Sequence, residues 1–161
     1  MNADASLRKA LLSSLEEGGA HIVFAAAVKD FSAELRGRRV PGVPHTAWHL
    51  VYHLWIAQND ILEYIRVPAH PSPEYPSGYW PKEEEPADAR DWERKVREFD
   101  RDLKALCALV RDPEEDLIAA RPKGGDGSLA RAALLVIDHN SYHIGQLVDL
   151  RMLLGVPVRD W

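Results

Sequence analysis

The sequence predicts an all-α fold, a four-helix bundle in which the helices run up-down-down-up. Apolar residues recur every three or four positions in four long stretches, the spacing of a helix with one buried face. Segments rich in proline and glycine separate these stretches, and the one between helices two and three is a long crossover that can return the chain to its starting end. Histidines spaced four apart on two of the helices indicate a site shared between them.

Composition limits the class of protein. The chain has 161 residues, 46% of them hydrophobic, which predicts one domain, 1–161, with a substantial core. Its 25 acidic residues outnumber 20 lysines and arginines, and no basic block occurs, so we expect no nucleic-acid partner. The single cysteine, Cys107, is typical of a reducing compartment. Because neither a signal-peptide pattern nor a membrane-spanning apolar run is present, we expect a cytoplasmic protein without a membrane partner.

The first helix is predicted over residues 6–29, with Ser6 as its N-cap. Its apolar seam is interrupted by Gly18 and Gly19, and each glycine costs ~1 kcal/mol relative to alanine inside a helix. The glycines either kink the helix or lie within it and allow a close neighbour. We expect the helix to run through them.

The second helix follows an additional turn at residues 30–35 and a loop at residues 37–44. We predict it over residues 44–66, and its first half is apolar on nearly all sides, which indicates a buried helix. Pro68 ends it. The long connection at residues 67–86 contains three aromatic residues, whereas disordered linkers are poor in aromatics, so we expect an ordered segment lying over the bundle.

The third and fourth helices have the clearest patterns. The third is predicted over residues 88–112, with an aspartate cap, one apolar seam and charged remaining faces, so we expect it on the outside of the bundle. A glycine-rich loop at residues 121–127 follows. The fourth helix is predicted over residues 128–154, with Ser128 as N-cap and Gly155 just beyond its end.

Histidines form a row on each of two helices. They are His45, His49 and His53 on helix two, and His139 and His143 on helix four. Residues four apart on a helix lie about 5–6 Å apart at Cβ, so the pair on helix four can bind one metal ion. His53 has the most apolar surroundings of the first row, and a buried imidazole requires a polar partner, so we infer that it is the third ligand.

Ligand chemistry favours a catalytic type of site. Three imidazoles leave room for water or substrate on a zinc-like ion, and nickel or iron is also compatible. A structural zinc site is disfavoured, because such sites use four ligands, mostly thiolates, and Cys107 is alone.

Several polar residues are candidates for supporting roles. His21 is the candidate for a catalytic residue, and the sequence leaves three alternatives open for it: a fourth ligand, a base beside the metal, or a core histidine. Gln146 lies one turn after His143, and Asp60 two turns after His53, so either can accept a hydrogen bond from a ligating imidazole.

Aromatic residues of the long connection are candidates for a roof over the metal site. They are Tyr75, Tyr79 and Trp80. The alternative is that they only seal the core beneath a long loop, and the sequence does not decide between a lid and a plug.

Two motifs resemble the DinB-like (DinB/YfiT) superfamily. Residues 138–146, DHNSYHIGQ, with Leu-Gly at 154–155, resemble its last helix, and residues 48–54, WHLVYHL, resemble its second-helix motif. The resemblance implies an up-down-down-up bundle, frequent dimerisation and one divalent metal, often nickel or zinc, on three histidines. The ligands it implies here are His53, His139 and His143. Characterised relatives are metal-dependent thiol S-transferases and a thiol-dependent isomerase that use low-molecular-weight thiols.

Three hypotheses for function follow. In the first, the protein is an enzyme whose metal stabilises the thiolate of a small thiol for attack on an electrophile, or activates water for hydrolysis. In the second, it is a non-catalytic metal-binding or stress protein. In the third, it is a dimeric scaffold. For the enzyme we expect a small-molecule substrate and, from the resemblance, a homodimer.

Overall fold

The computed structural model describes residues 2–67, 69–119 and 127–158, and all regular structure in them is helical. Five α-helices occur in this order: α1, Ala3–Glu17; α2, Phe24–Val28; α3, Ala47–Arg66; α4, Ala89–Arg111; and α5, Leu129–Leu153. Short 3-10 turns occupy Ala33–Leu35 and Ser77–Tyr79. The all-α class is therefore confirmed, whereas the up-down-down-up order stays a prediction. Pro68 and most of the predicted loop at 121–127 lie outside the described residues.

Polar side chains at the helix starts satisfy backbone N–H groups that have no partner within the helix. Asn2, not the predicted Ser6, caps α1, because its Oδ1 accepts a hydrogen bond from the N–H of Ala5 at 2.8 Å. Thr46 caps α3 in a reciprocal arrangement with His49. Asp88 caps α4 and Ser128 caps α5. The predicted aspartate cap of α4 and the predicted Ser128 cap of α5 are confirmed.

The first helix does not run to residue 29, and that prediction is wrong. It ends at Glu17, and Gly18 and Gly19 adopt φ values of 75° and 58°. A left-handed glycine just past the last turn is the usual way to end a helix, because side chains rarely tolerate that conformation. The pair therefore stops the helix, and the chain turns into the short helix α2.

Helix α2 is held against the bundle by packing and by a buried arginine. The rings of Phe24 on α2 and Phe99 on α4 lie 4.0 Å apart between centroids. Arg151 on α5 is only 2% exposed, and its Nη1 donates to the carbonyls of Ala27 and Lys29 at 2.8 and 2.5 Å. These bonds satisfy carbonyl groups at the end of α2 that a five-residue helix cannot pair internally.

The buried apolar residues of the described chain form two clusters. One cluster contains Leu54 and Ile144, and the other contains Leu62 and Val136. Among the polar residues buried on α3 and α5 is Gln58, whose Nε2 donates to the carbonyl of Phe99 at 2.8 Å while its Oε1 accepts from Asn140 Nδ2 at 2.9 Å.

The long connection is ordered against α3 in its described part. Thr46 Oγ1 donates to the carbonyl of Glu84 at 2.7 Å, and Tyr79 Oη donates to Asp60 Oδ2 at 2.6 Å. The predicted order of this segment agrees with these contacts, which span its middle and its end. Across the described ranges, no helix has the length and apolar character needed to cross a membrane.

We expect Gly18→Ala to lower the free energy of unfolding by about 2 kcal/mol or more. Residue 18 has a positive φ, and a Cβ atom there would lie 2.4 Å from the carbonyl oxygen of His21. Urea unfolding followed by circular dichroism measures the change. The control is Gly145→Ala within α5, where a Cβ meets no atom within 4 Å; it should stabilise by up to ~1 kcal/mol. Equal effects at both positions would contradict the assigned role of Gly18.

Candidate metal centre

Three histidines from two helices converge on one point. His53 Nε2 on α3 lies 3.0 Å from His139 Nε2 and 3.1 Å from His143 Nε2, both on α5. Within the described residues, these three form the one group of histidine, cysteine or carboxylate side chains arranged to hold a metal ion. The spacing of four residues places the two imidazoles of α5 on the same side of that helix, and the packing of α3 against α5 brings His53 to them.

The outer nitrogens of two of these rings bind acceptor oxygens. His53 Nδ1 lies 3.0 Å from the carbonyl oxygen of Tyr79, and His143 Nδ1 lies 2.7 Å from Gln146 Oε1. An oxygen of this kind accepts hydrogen bonds and does not donate them, so both Nδ1 atoms carry the proton. The Nε2 atoms of His53 and His143 are consequently unprotonated and present lone pairs to each other.

This donor set fits a divalent metal. Facing lone pairs at about 3 Å repel unless a proton or a cation lies between them, and a metal supplies that charge. Nitrogen ligands lie about 2.0–2.1 Å from zinc. Two nitrogens on one ion can therefore be at most ~4.2 Å apart, and the observed separations of 3.0 and 3.1 Å satisfy this limit. Imidazole is a ligand for zinc, nickel, copper and iron alike.

Burial keeps the three imidazoles neutral. It lowers the pKa of His53 and of His139 to about 4 and also lowers the pKa of His143, because a charged ring loses its hydration inside the protein. The neighbouring His143 adds to the shift at His139, and the Asn140 side chain opposes it. Neutral imidazole is the form that binds metal, so the cluster is ready to bind near neutral pH.

The long connection covers one side of the cluster. The indole ring of Trp80 is stacked between two imidazoles, 3.8 Å from that of His53 and 4.0 Å from that of His45, with interplanar angles of 6° and 8°. The predicted roof residue Trp80 thus lies directly on a ring of the cluster, whereas Tyr75 is 84% exposed and 6.2 Å from Tyr79.

Asp60 positions the connection rather than a ligand ring. Its two carboxylate oxygens bind Tyr79 Oη at 2.6 Å and His70 Nε2 at 2.9 Å. Burial raises the pKa of Tyr79 to about 12, so the phenol stays protonated and can donate. The backbone carbonyl of Tyr79 in turn binds His53, so Asp60 acts on the cluster through one intermediate residue.

His21 lies apart from the cluster. It follows the glycine turn instead of lying within a helix, and its Nε2 is 2.7 Å from the Oγ of Ser141, while its Nδ1 is 2.8 Å from the carbonyl of Ile22. Ser141 is two residues from His139, so it lies on a different side of α5. The geometry does not support His21 as a fourth ligand, and its catalytic role stays a prediction.

Two supporting features were missed by the sequence analysis. The Tyr79 carbonyl has no sequence signal, because any residue provides a backbone oxygen. The pairing of Asn140 with Gln58 could have been noticed as two amides within the apolar patterns of α5 and α3.

The fold and the histidine cluster together define a protein that is helical throughout its described regular structure, with a site that could hold a metal ion. A family model described as the DinB superfamily matches residues 20–147, and the chain belongs to this metal-binding superfamily. Neither the curated proteins nor the solved structures contain a significant match to the chain.

The free energy of unfolding of the metal-free protein should decrease as the pH falls from about 6.5 to 4. An unfolded histidine titrates near ~6.5, whereas His53 and His139 titrate at about 4 in the fold. Between these values the unfolded chain binds more protons, so acidification favours unfolding, by roughly 2 kcal/mol or more in total. Urea titrations at stepped pH in chelator measure it. His139→Asn should flatten the profile, and an unaltered slope in this variant would contradict the assignment.

Proposed function

We propose that the protein is a metal-dependent thiol S-transferase that acts on a small molecule, with one nickel or zinc ion bound by His53, His139 and His143. The observation that supports this proposal most strongly is that the Nε2 atoms of His139 and His143 both lie about 3 Å from His53 Nε2, with all three within 4.8 Å of one another. Hydrolysis of a small molecule at the same ion is the second reaction to be tested.

Three protein ligands leave a position for a further group, which is typical of catalytic rather than structural zinc sites. When bound there, the metal would lower the pKa of a coordinated thiol and stabilise its thiolate. The chain contributes the arrangement around it: the Tyr79 carbonyl and Gln146 Oε1 fix two imidazoles through their Nδ1 protons. Partners of this kind set the orientation and basicity of ligating histidines.

The long connection is the proposed cover of the substrate site. Trp80 shields one face of His53, and the bonds of Asp60 to Tyr79 and His70 hold that cover in place. An electrophile bound beside Trp80 would be partly shielded from water, which strengthens electrostatic interactions with a thiolate. The proposal thus assigns substrate positioning to the connection and thiol binding to the histidines.

We expect close to one metal ion per chain in the untagged protein, and almost none in the double variant His139→Ala/His143→Ala, because one remaining imidazole cannot retain the ion. Elemental mass spectrometry measures the content, and turnover is assayed with glutathione or cysteine against an aromatic halide. His21→Ala is the matched control and should keep the metal.

Three outcomes would reject the proposal in different ways. Thiol transfer that persists after metal loss would remove the metal from the reaction. A metal that is present but carries no exchangeable water, tested spectroscopically in the cobalt-substituted protein, would favour the non-catalytic alternative, in which the ion only ties α3 to α5. Absence of metal from both proteins, with unchanged folding, would leave the scaffold alternative.

We also propose a homodimer that uses the outer side of α5. Leu135, Tyr142 and Leu153 are separated by seven and eleven residues, which places them on one face, and they are 38%, 65% and 61% exposed. Large exposed apolar residues arranged together are typical of interaction surfaces.

Sedimentation velocity of the wild-type protein should show a species of twice the chain mass, and Tyr142→Lys should shift it to the monomer, because a charge would be buried at the interface. Lys104→Ala on α4 is the surface control. A monomeric wild-type protein at micromolar concentration would contradict this prediction.

A further inference from the structure

One imidazole of the cluster, that of His139, has an outer nitrogen without a partner. The Nδ1 atoms of His53 and His143 each bind an acceptor oxygen, at 3.0 and 2.7 Å. His139 Nδ1 is also buried, yet it makes no hydrogen bond with any described residue. A buried polar atom without a partner is unfavourable, so this exception among three otherwise similar rings requires a physical explanation.

The next residue along α5 has the complementary unpaired atom. Asn140 is 8% exposed, and its Oδ1 is buried with no hydrogen bond to a residue that the structure describes. Nδ1 of His139 and Oδ1 of Asn140 are both bonded to Cγ, so both stay close to the helix backbone, where consecutive residues approach each other. An amide oxygen only accepts hydrogen bonds, so the two atoms pair only when Nδ1 carries a proton.

Two further hydrogen bonds fix the orientation of the Asn140 amide. Its Nδ2 donates to Gln58 Oε1 at 2.9 Å, and Gln58 Nε2 donates to the backbone carbonyl of Phe99 at 2.8 Å. The carbonyl is an acceptor, so it determines which end of each amide is oxygen: turning either amide over would place like groups against each other. The free end of the Asn140 amide is therefore an acceptor.

The proton of the neutral His139 ring can occupy either of its nitrogens. His53 Nε2 is unprotonated and lies 3.0 Å from His139 Nε2, a hydrogen-bond distance, so in protein stripped of metal a proton on His139 Nε2 is donated to His53. His139 Nδ1 then presents a lone pair and cannot bond to Asn140 Oδ1. When Nε2 instead binds a metal ion, the neutral ring must carry its proton on Nδ1.

The pKa of His139 agrees with an acceptor at this position. Burial lowers the pKa to about 4, the neighbouring His143 adds to this shift, and a hydrogen bond with the Asn140 side chain opposes it. An acceptor oxygen has this effect, because it stabilises the ring when Nδ1 is protonated. The same oxygen would stabilise a neutral ring that carries its proton on Nδ1.

We propose that Asn140 is a positioning residue of the metal site: metal binding at His139 Nε2 moves the proton of the ring to Nδ1, where Asn140 Oδ1 accepts it. The ring stays neutral, because solvent takes the proton from Nε2 and supplies one to Nδ1. Each of the three imidazoles then has an acceptor behind it, and the third is linked through Gln58 to α4. The inference rests on the metal binding of the proposed function and not on its thiol reaction.

Nuclear magnetic resonance of the full chain with isotope-labelled histidine shows which nitrogen of each ring carries the proton. We expect His139 to change from the Nε2–H form in chelator to the Nδ1–H form with zinc, whereas His53 and His143 keep the Nδ1–H form in both conditions. The signals of His139 are identified by their loss in His139→Asn. Zinc binding that leaves the tautomer of His139 unchanged would overturn the inference.

Three variants separate the acceptor from a merely structural role of Asn140. Asn140→Leu removes the acceptor and should weaken zinc binding about 10–100-fold, the usual effect of losing the partner of a ligating histidine. Asn140→Asp loses the bond donated to Gln58 but keeps an acceptor oxygen, so it should retain most of the affinity and the change of tautomer. Ser141→Ala, whose hydroxyl contacts His21 and not the cluster, should bind zinc like the wild type. Competition with a chromophoric chelator measures each affinity.

The outcomes distinguish this inference from the proposed function. Equal zinc affinity in Asn140→Leu and the wild type would overturn the role of Asn140 and leave the proposed function intact. An equal loss in Asn140→Leu and Asn140→Asp would also overturn it, since what both lack is the bond to Gln58. A change of tautomer with zinc, without thiol transfer by the zinc-loaded protein, would support Asn140 and reject the transferase. Failure of the wild type to bind zinc would overturn both.

Discussion

The close approach of three imidazole nitrogens is the constraint on which the rest of this structure depends. The Nε2 atoms of His53 and His143 lie 3.1 Å apart and present lone pairs to each other, and His139 Nε2 lies 3.0 Å from that of His53. Facing lone pairs at this distance are unfavourable without a shared cation. Two of the three rings are held from behind by acceptor oxygens: the Tyr79 carbonyl fixes His53, and Gln146 fixes His143. Desolvation by the surrounding core lowers the histidine pKa values and prevents protonation from relieving the repulsion.

The position of the long connection follows from the same constraint. The carbonyl that orients His53 belongs to Tyr79 of this segment, so the orientation of the ring depends on the position of the segment. Asp60 does this by binding both Tyr79 and His70, and Trp80 completes the arrangement by stacking on His53. An aspartate two turns from a ligand thus supports the site indirectly, through a loop that the spacing along α3 alone does not reveal.

The packing on the side of α5 that faces α1 and α2 follows from where the first helix ends. The paired glycines end α1 early. The short helix α2 that follows is held in place by the packing of Phe24 on Phe99 and by the hydrogen bond that Arg151 donates to the carbonyl of Ala27. These elements leave a cavity of about 420 Å³ that is lined by residues of α1, α2, α4 and α5 and by none of the three cluster histidines. Helix α5 therefore contributes to two regions of different chemistry: His139 and His143 belong to the imidazole cluster, and Ile137 and Ile144 line the mostly apolar cavity.

Helical period and capping chemistry are local properties, so the sequence alone predicted the helical class, an aspartate cap for α4, Ser128 at the start of α5 and the three histidines that meet. The structure shows that the aspartate is Asp88. It did not determine the end of α1, because glycines inside a helix and glycines that end one differ only in backbone conformation. The spacing on α5 also predicted Gln146 as the partner of His143. Only the tertiary structure shows which backbone carbonyl orients His53 and where the cavity lies, since both depend on how the long connection and the helices pack.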